Sequence, residues 1–128
     1  MEKDFEGWLK IKVESQERQN PPTFQEREIW WCRIGVNVCD EEDGKGNDFS
    51  RPVLIVRKFN KRIFWGVPLT TQIKDTPHYY KIHFKNKTQC VMLTQLRMWH
   101  NNRLMTKMGQ LTKEQVKEIR KSLRELIN

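Results

Sequence analysis

The sequence predicts an α+β fold, in which a mostly antiparallel, barrel-like sheet of five to six short strands has a helix at each end. Three observations carry this prediction. Apolar residues recur at helical spacing before residue 20, the pattern becomes extended from Glu28, and a second amphipathic helix follows a capping sequence at Thr112. With 128 residues and 37% hydrophobic content, the chain is most simply one domain that buries a core.

The N-terminal helix is predicted over residues 4–19. Its apolar side chains fall on one helical face, at Phe5, Trp8, Leu9 and Val13. The prolines at 21 and 22 end the segment, because a residue before proline disfavours helical backbone. We therefore expect a helical extension and linker over residues 1–26 and a separate domain over residues 27–128.

Five extended runs rich in β-branched and aromatic residues predict the strands, at residues 28–38, 51–59, 63–69, 78–84 and 89–93. Residues 39–50 combine clustered acids with two glycines, which indicates a long exposed loop. Residues 94–104 are interpreted as a short helical or irregular piece.

The C-terminal helix has a clear start signal. Thr112 and Gln115 form a capping box, and Leu111 is placed to contact Val116 as a hydrophobic staple. The apolar face predicted to dock on the sheet consists of Val116, Ile119, Leu123 and Ile127.

Charge is distributed unevenly along the chain. The net charge is +8, but residues 1–50 contribute −5, residues 51–110 contribute +11 and residues 111–128 contribute +2. A sixty-residue block whose only acid is Asp75 cannot pair its cations internally. It therefore presents a basic surface, which suits a polyanion such as nucleic acid or simply remains solvated.

Several classes of protein are disfavoured by the composition. No apolar run approaches the roughly 18 residues of a membrane span, and the acidic N-terminus is unlike a signal peptide, so a cytoplasmic protein without membrane contact is expected. Cys32 and Cys90 lie in apolar runs and are predicted to be buried. The histidines and cysteines lack metal-ligand spacing, so neither a metal nor another cofactor is expected.

Four segments occur in one order, EIWWCRIGVNV, RPVLIV, VPLTTQ and VMLTQLRMWHNNRL, and the capped helix follows them. Together they resemble the MazF/PemK family of toxins from type II toxin–antitoxin systems, over about residues 27–127. Members of that family have an opening aromatic strand, an acidic glycine-containing loop, Arg-Pro with a valine-rich strand, and Val-x-Pro-x-Thr. A Leu-x-Gln segment with a following basic residue then precedes Arg-Leu.

The resemblance implies a small SH3-like barrel that forms a homodimer. It also implies a metal-independent endoribonuclease that cuts single-stranded RNA, including mRNA, at selected sequences. A cognate antitoxin whose flexible tail covers the RNA groove is implied as the protein partner, with DNA binding through the complex of the two. Two alternatives share the fold: a non-catalytic SH3-like module that binds RNA or protein, and a gyrase poison of the CcdB type.

The resemblance also implies site residues. Arg51 is the arginine of Arg-Pro and Thr70 is the threonine of Val-x-Pro-x-Thr, and these are the family's catalytic pair. Glu41 corresponds to the glutamate of the acidic loop, although Glu42 or Asp43 could hold that role because the loop is longer here.

Further positions are expected to contact RNA. Gln95 and Arg97 match the Gln-x-Arg/Lys element and would face RNA or a dimer seam, and Arg103 of the Arg-Leu element could do either. Thr71 and Gln72 would bond phosphate or base edges.

The chemistry of RNA cleavage fits these residue types. The 2′-OH attacks the adjacent phosphate and leaves a 2′,3′-cyclic phosphate and a 5′-OH. The planar guanidinium of Arg51 can donate two parallel hydrogen bonds to the phosphoryl oxygens and stabilise the added charge. Thr70 supplies a hydroxyl that can hold the phosphate or the 2′-OH, and Pro68 is expected to create a bulge that aims it.

Proton transfer and base stacking leave alternatives open. Glu41 could act as the base. His78 is a second candidate for proton transfer, because histidine changes charge near neutral pH, and it is also a candidate RNA contact. The alternative is that His78 is simply an exposed loop residue. Six strand aromatics could stack on bases or belong to the core: Trp30, Trp31, Phe64, Trp65, Tyr79 and Tyr80.

Overall fold

The computed structural model describes residues 21–33 and 50–127, and the described residues form seven strands and one α-helix. The strands are β1 (Glu28–Arg33), β2 (Ser50–Lys58), β3 (Ile63–Thr70), β4 (Tyr79–Phe84), β5 (Lys87–Met92), β6 (Arg97–His100) and β7 (Leu104–Gln110), and the helix is α1 (Lys113–Ile127). Two 3₁₀ turns flank β6, at Leu93–Gln95 and Asn101–Arg103. The predicted helix at 4–19, residues 34–38 of the first predicted strand and most of the predicted acidic loop lie outside the described residues.

The strands form one antiparallel sheet in the order β4-β5-β3-β2-β1-β7, and β6 pairs with β3 beside β5. The α+β class, the antiparallel sheet and the C-terminal helix are therefore confirmed. The predicted barrel-like sheet does not close into a barrel in the part of the chain described, because β4 and β7 share no ladder.

Side-chain packing takes the place of a closing ladder between β4 and β7. The Phe84 ring lies against Gly109, where an added Cβ would be 2.8 Å from the Phe84 Cζ atom. Gly109 also has φ +153°, a conformation that other residues rarely adopt. Helix α1 covers the remaining side of the core, through Val116 and Ile119.

The predicted short helical or irregular piece at 94–104 is found in the two 3₁₀ turns, but the prediction is wrong at its centre, where β6 pairs with β3 from Ile63 to Gly66. Residues of β6 alternate between exposed and buried, as Met98 and Trp99 do, and four residues are too few for that alternation to be distinguished from a turn in the sequence. Strand β7 was likewise not assigned from the sequence.

Pro68 lies inside β3 rather than at a strand end. Its register with β2 is continuous, since Val53 pairs with Pro68 and Leu54 with Val67, so the predicted bulge at Pro68 is wrong. On the other edge of β3, β5 pairs with Leu69 and Thr70, whereas β6 pairs only as far as Gly66. The interruption falls at Val67 and Pro68, where proline lacks an N–H that the ladder would need.

The β2–β3 register does shift at Val56, which is the extra residue between Ile55 and Arg57. The Val56 carbonyl accepts from Arg120 Nε of α1 at 2.9 Å and also from its Nη2. Arg120 Nη2 forms an ion pair with Glu26 at 3.0 Å. The bulge therefore exposes a carbonyl that anchors the helix.

Two apolar clusters lie on opposite faces of the sheet, because neighbouring strand residues alternate between them. The helix-side core contains Ile29, Leu54, Val56, Val67, Leu69, Ile82, Phe84, Val91, Leu93, Leu111, Val116 and Ile119. The second core contains Phe24, Trp30, Cys32, Val53, Ile55, Phe64, Trp99 and Leu104. Cys32 and Cys90 are both fully buried, as predicted.

Trp99 closes the second core over Gly66. The indole Nε1 donates to the Gly66 carbonyl at 3.2 Å. A Cβ at position 66 would lie 2.6 Å from Val53 Cγ1 and 2.9 Å from Trp99 Cδ1, closer than atoms approach without displacement. Only glycine therefore lets the indole rest on β3.

The capping box of α1 is confirmed in both directions. Gln115 N donates to Thr112 Oγ1 at 3.1 Å, and Thr112 N donates to Gln115 Oε1 at 3.0 Å. The apolar face is confirmed as far as Leu123, but Ile127 is 82% exposed and Leu126 packs on the core instead. The side chain of Ile127, the last residue of α1, lies outside the core.

Residues just before β1 also belong to the packed structure. Phe24 is 1% exposed, and its ring centroid is 4.9 Å from that of Phe64. Lys58 Nζ donates to the Phe24 carbonyl at 2.9 Å. The chain is thus fixed to the sheet before the first strand begins.

A buried carboxylate opens β1. Glu28 accepts from Gln25 N at 2.8 Å and Trp30 Nε1 at 2.9 Å, and it pairs with Lys107 Nζ at 2.9 Å. Burial alone would raise the pKa of Glu28, but these hydrogen bonds and the Lys107 charge outweigh it and hold the pKa below the ordinary value.

Candidate functional site

The structure brings Arg51 and Thr70 to facing positions on neighbouring strands. Arg51 is the second residue of β2 and Thr70 is the last residue of β3. The pairing of Val53 with Pro68, continued by two residues, places Arg51 opposite Thr70. Opposite residues of an antiparallel pair project from the same face of the sheet. Arg51 Nη1 also donates to the main-chain oxygen of Leu69 at 3.4 Å, which holds the guanidinium beside the end of β3.

The Thr70 hydroxyl is oriented by the turn that follows it. Its Oγ1 accepts from Gln72 N at 3.1 Å. A hydroxyl has one O–H donor and two acceptor positions, so this bond uses an acceptor position and leaves the O–H able to donate to a phosphate oxygen. Thr70 is 5% exposed and Arg51 is 7% exposed, so little water reaches either side chain, and hydrogen bonds to developing charge are stronger in such surroundings.

Two cysteines flank this pair in the same row across the sheet. Cys32 of β1 is opposite Arg51, and Cys90 of β5 is opposite Thr70. Burial raises the pKa of the Cys32 thiol far above its ordinary value, against the smaller influence of Arg103 and Arg97. Cys32 therefore stays a neutral neighbour and does not compete with an anionic ligand for the Arg51 guanidinium.

The segment after Thr70 forms the exposed border of the site. Strands β3 and β4 run parallel with β5 between them, so residues 71–78 cross over β5. Thr71 and Gln72 are exposed at the start of this crossing. Their predicted contact with RNA stays a prediction.

His78 lies at the far end of that crossing. Its main-chain N donates to Thr76 Oγ1 at 3.2 Å, and its carbonyl accepts from Leu93 N at 3.0 Å. The residue is exposed and lies beyond β5 from Thr70. The structure therefore does not bring His78 into the row that holds Arg51 and Thr70.

Gln95 and Arg97 lie where β5 gives way to β6. Gln95 ends the first 3₁₀ turn and is half-buried. Arg97 is opposite Gly66, and its guanidinium carbon is 4.3 Å from the centre of a Trp99 ring. This stacking fixes a planar cation on the face of the sheet that also carries Arg51.

The sequence did not reveal that the Arg97 charge acts on Arg103. Arg103 is half-buried, and its Nη1 donates to the Arg33 carbonyl at 3.4 Å. Burial and the positive charge of Arg97 together lower the pKa of Arg103. The only sequence signal is that Arg97 begins a short strand and Arg103 follows it, and that signal requires β6 to be recognised first.

The predicted aromatic residues and the predicted acidic residues have different outcomes. Trp30 and Phe64 belong to the second core, whereas Trp65 is 44% exposed on the opposite face, with its ring 5.0 Å from that of Phe59. Glu41, Glu42 and Asp43 lie outside the described residues. Within residues 21–33 and 50–127, no three histidine, cysteine or acidic side chains group as metal ligands, and no helix is long and apolar enough to cross a membrane.

Comparison with solved structures shows a shared fold. A mycobacterial endoribonuclease in complex with its cognate antitoxin superimposes with a TM-score of 0.62 at 17% identity, over 81% of this chain and 94% of that one. MazF from Deinococcus radiodurans gives a TM-score of 0.63 at 14% identity, over 83% and 97%. The Mycobacterium tuberculosis toxin MazF-mt6 gives 0.61 at 16% identity, over 79% and 96%.

Sequence comparison identifies the family. A search of curated protein sequences finds no significant match. The family described as PemK-like, MazF-like toxin of type II toxin–antitoxin system matches residues 25–127, which is most of the chain. That span includes Arg51 and Thr70, together with the strands that bring them into register. The chain therefore belongs to the PemK-like, MazF-like family of type II toxin–antitoxin toxins.

Proposed function

We propose that this toxin is a metal-independent, sequence-selective endoribonuclease that cleaves single-stranded RNA, including mRNA, to 2′,3′-cyclic phosphate and 5′-OH ends. The observation that carries the proposal is the facing position of Arg51 and Thr70 on the same side of β2 and β3. A module that only binds RNA or protein has no need of this pair. The names of the mycobacterial endoribonuclease and of the MazF proteins that share the fold support the same activity.

The proposed reaction forms a bond between the 2′-oxygen and phosphorus and breaks the bond from phosphorus to the 5′-oxygen. The 2′-OH proton passes to a base, and a proton is delivered to the leaving 5′-oxygen. Arg51 donates to the phosphoryl oxygens as negative charge accumulates on them. Thr70 donates its O–H to the same phosphate and fixes its position relative to the 2′-OH.

The base is proposed to come from the acidic loop, with Glu41 as first candidate and Glu42 or Asp43 as alternatives. His78 remains a second candidate for proton transfer, although it lies beyond β5 from Thr70. Thr71 and Gln72 are proposed to contact the RNA beside the scissile phosphate, because they are exposed and follow Thr70 directly. Gln95 and Arg97 are proposed as further RNA contacts.

The partners follow from the family and from the surface of the chain. A cognate antitoxin is proposed to inhibit the enzyme by covering the RNA site. The protein is proposed to act in the cytoplasm as a homodimer, and exposed Met98 and Met105 are candidates for the subunit contact. Residues 27–128 would carry the endoribonuclease domain and residues 1–26 an extension. A monomer in light scattering at micromolar concentration would overturn the dimer.

One assay separates the proposal from its alternatives. Purified protein is incubated with mixed-sequence single-stranded RNA in excess EDTA, and the product ends are analysed chemically. We expect cleavage that continues in EDTA and leaves cyclic-phosphate and 5′-OH ends. RNA bound but not cut would indicate a binding module, inhibition of gyrase without RNA cleavage would indicate a gyrase poison, and activity abolished by EDTA would refute the mechanism.

A further inference from the structure

Two aromatic side chains are exposed together where β2 ends and β3 begins. Trp65 is 44% exposed and Phe59 is 48% exposed, and the centroids of their rings are 5.0 Å apart in an edge-to-face contact. Half-buried Ile63 is the first residue of β3, and its carbonyl accepts from Phe59 N at 3.1 Å. We call Phe59, Ile63 and Trp65 the apolar patch. Exposed apolar side chains that touch one another, unlike single ones, mark a surface that binds a partner.

The apolar patch lies on the face of the sheet opposite the candidate RNA site. Successive residues of a strand point to opposite faces. Trp65 is two residues from Val67, which belongs to the helix-side core, and five residues from Thr70, which therefore points to the other face. Helix α1 packs on the helix-side core through Val116 but leaves Trp65 exposed. RNA held by Thr70 would not cover the patch, so the patch has a different occupant.

Cations border the apolar patch. Arg57 is opposite Trp65 in the sheet, and its guanidinium carbon is 5.4 Å from the centre of the Phe59 ring. Lys61 and Arg62 are exposed in the turn between β2 and β3. An occupant that fits this surface therefore presents apolar side chains with acids along their border.

The chain enters the sheet beside the apolar patch. The Phe24 ring packs against Phe64, which precedes the tryptophan of the patch, with centroids 4.9 Å apart. The Phe24 carbonyl accepts at 2.9 Å from Nζ of Lys58, which precedes the phenylalanine of the patch. An open cleft is lined by residues 25–28 on one side and residues 58–61 on the other. The part of the chain before Phe24 is therefore tethered at the end of the two strands that carries the patch.

Residues 1–20 lie outside the described residues, and their sequence matches this surface. Their apolar residues recur at the spacing of a helix, at Phe5, Trp8, Leu9 and Val13. In a helical projection acids border this apolar face, at Asp4, Glu6 and Glu17. Lys12 shares the face, and its long stem can lie on apolar surface while its amine reaches water. The segment thus offers the apolar side chains and the bordering acids that the patch requires.

The connection is long enough for this contact. Phe24 belongs to the second core, so the chain has to pass from one face of the sheet to the other. Residues 20–23 reach about 13 Å when extended, at roughly 3.3–3.6 Å each. Packed layers are only about 10 Å apart. The two prolines favour an extended link, because proline disfavours helical backbone in the residue before it.

We propose that the helix predicted over residues 4–19 docks on the apolar patch of its own chain, with its apolar face against Phe59 and Trp65. The docked segment would shield the two rings from water and leave the face that carries Arg51 and Thr70 open. This inference does not depend on the proposed nuclease activity. A second copy of the chain is the rival occupant, since exposed Met98 lies opposite Trp65.

Photo-crosslinking in the full chain tests the docking directly. A benzophenone amino acid replaces Trp65, the protein is irradiated without RNA, and the crosslinked peptides are mapped by mass spectrometry. We expect a crosslink to residues 4–19 in a product that has the size of a monomer on a denaturing gel. Leu9→Asp should lower the yield several-fold, because an unpaired carboxylate resists burial. Lys10→Asp, which places the same group outside the apolar face, is the matched control and should change the yield little.

The same crosslinker at position 81 reports on the other face. Lys81 is exposed and lies in one row with Thr70 through Cys90. A crosslink from position 81 to residues 4–19 would overturn the proposal and indicate a segment that covers the candidate RNA site instead.

The remaining outcomes concern the occupant. A dimer-sized product from position 65 would overturn the proposal in favour of a second copy. A position-65 product without any crosslink to residues 4–19 would overturn it as well. If the protein with the crosslinker at position 65 melts as a misfolded chain, position 59 carries the crosslinker and the same results are expected. Failure to cleave RNA, with the crosslink to residues 4–19 present, would overturn the proposed function and retain the docking.

Discussion

Removing either member of the Arg51 and Thr70 pair should lower the rate of RNA cleavage far more than the affinity for RNA. Arg51 is 7% exposed, so its guanidinium is preorganised in a site with little water. Loss of such a donor typically costs about 2.7–4 kcal/mol of barrier, or roughly 10²–10³ in kcat. Arg51→Ala should show a loss of this size. RNA affinity should change little, because many cations of residues 51–110 share the contacts to phosphate.

Thr70→Val keeps the shape of the side chain and removes the hydroxyl. The rate should again fall by roughly 10²–10³ if the O–H stabilises the transition state. The Gln72 N–H also loses its acceptor, so we expect a stability cost of about 0.5–1.5 kcal/mol, which chemical denaturation measures. Thr70→Ser, which keeps the hydroxyl, is the matched control and should retain most of the activity.

The double variant tests whether the two residues serve one transition state. Two independent losses would multiply, whereas residues acting as a unit are less than additive. Single-turnover cleavage of Arg51→Ala/Thr70→Val should therefore be close to that of the slower single variant. Wild-type rates in Arg51→Ala, or losses that appear in KM with kcat unchanged, would refute the catalytic role and leave only a binding role.

Three further predictions concern the scaffold. Gly66→Ala should lower the free energy of unfolding by about 1–3 kcal/mol, since its Cβ would collide with the Trp99 indole; unchanged denaturation would contradict this. The pKa of Glu28 is held below the ordinary 4.5, so its contribution to stability is present above pH 4.5 and lost as pH falls below it. The stability difference between wild type and Glu28→Gln should therefore shrink in acid, as denaturation curves at several pH values can show. Removing residues 1–26 should lower the free energy of unfolding by about 3–5 kcal/mol more than removing residues 1–20 does, because only the longer deletion takes away buried Phe24. Equal melting temperatures of the two truncated proteins would contradict this.

Local signals in the sequence were sufficient for much of the fold. The capping box at Thr112 was predicted because its two partners are three residues apart, so no tertiary information is needed. The longer strands were predicted because β-branched and aromatic residues fill them. Strand β6 was missed because four residues give too little periodicity, and its pairing with β3 is a long-range contact.

The sequence did not predict that the sheet stays open in the described residues, and the reason differs from the one for β6. Whether two edge strands pair depends on the twist of the sheet and on the side chains that lie between the strands. Local sequence patterns determine neither of these. Here the Phe84 ring occupies the space against Gly109. The sequence shows an aromatic residue and a glycine, but their contact joins positions 25 residues apart in the chain.

The candidate site was predictable as a set of residues but not as a geometry. Arg51 and Thr70 were named from their motifs, and the register of β2 with β3 then explains why those motifs belong together. Arg97 and Arg103 were also named from motifs, but the influence of the Arg97 charge on the pKa of Arg103 depends on β6 and on the turn that follows it. Motif matching finds residues, and it does not show which of them an unrecognised strand brings together.

The proposed site would divide the tasks of an RNA-cleaving enzyme between two sets of residues. Interactions made only in the transition state raise kcat, whereas interactions made equally with bound substrate lower KM. Arg51 and Thr70 lie in one buried row, where the reacting phosphate would meet preorganised donors. Gln95 and Arg97 lie where β5 gives way to β6, and we propose them as RNA contacts that do not act on the reacting phosphate. Variants of the first pair should therefore reduce kcat and variants of Gln95 and Arg97 should raise KM, so the two roles are separable by steady-state kinetics on one RNA.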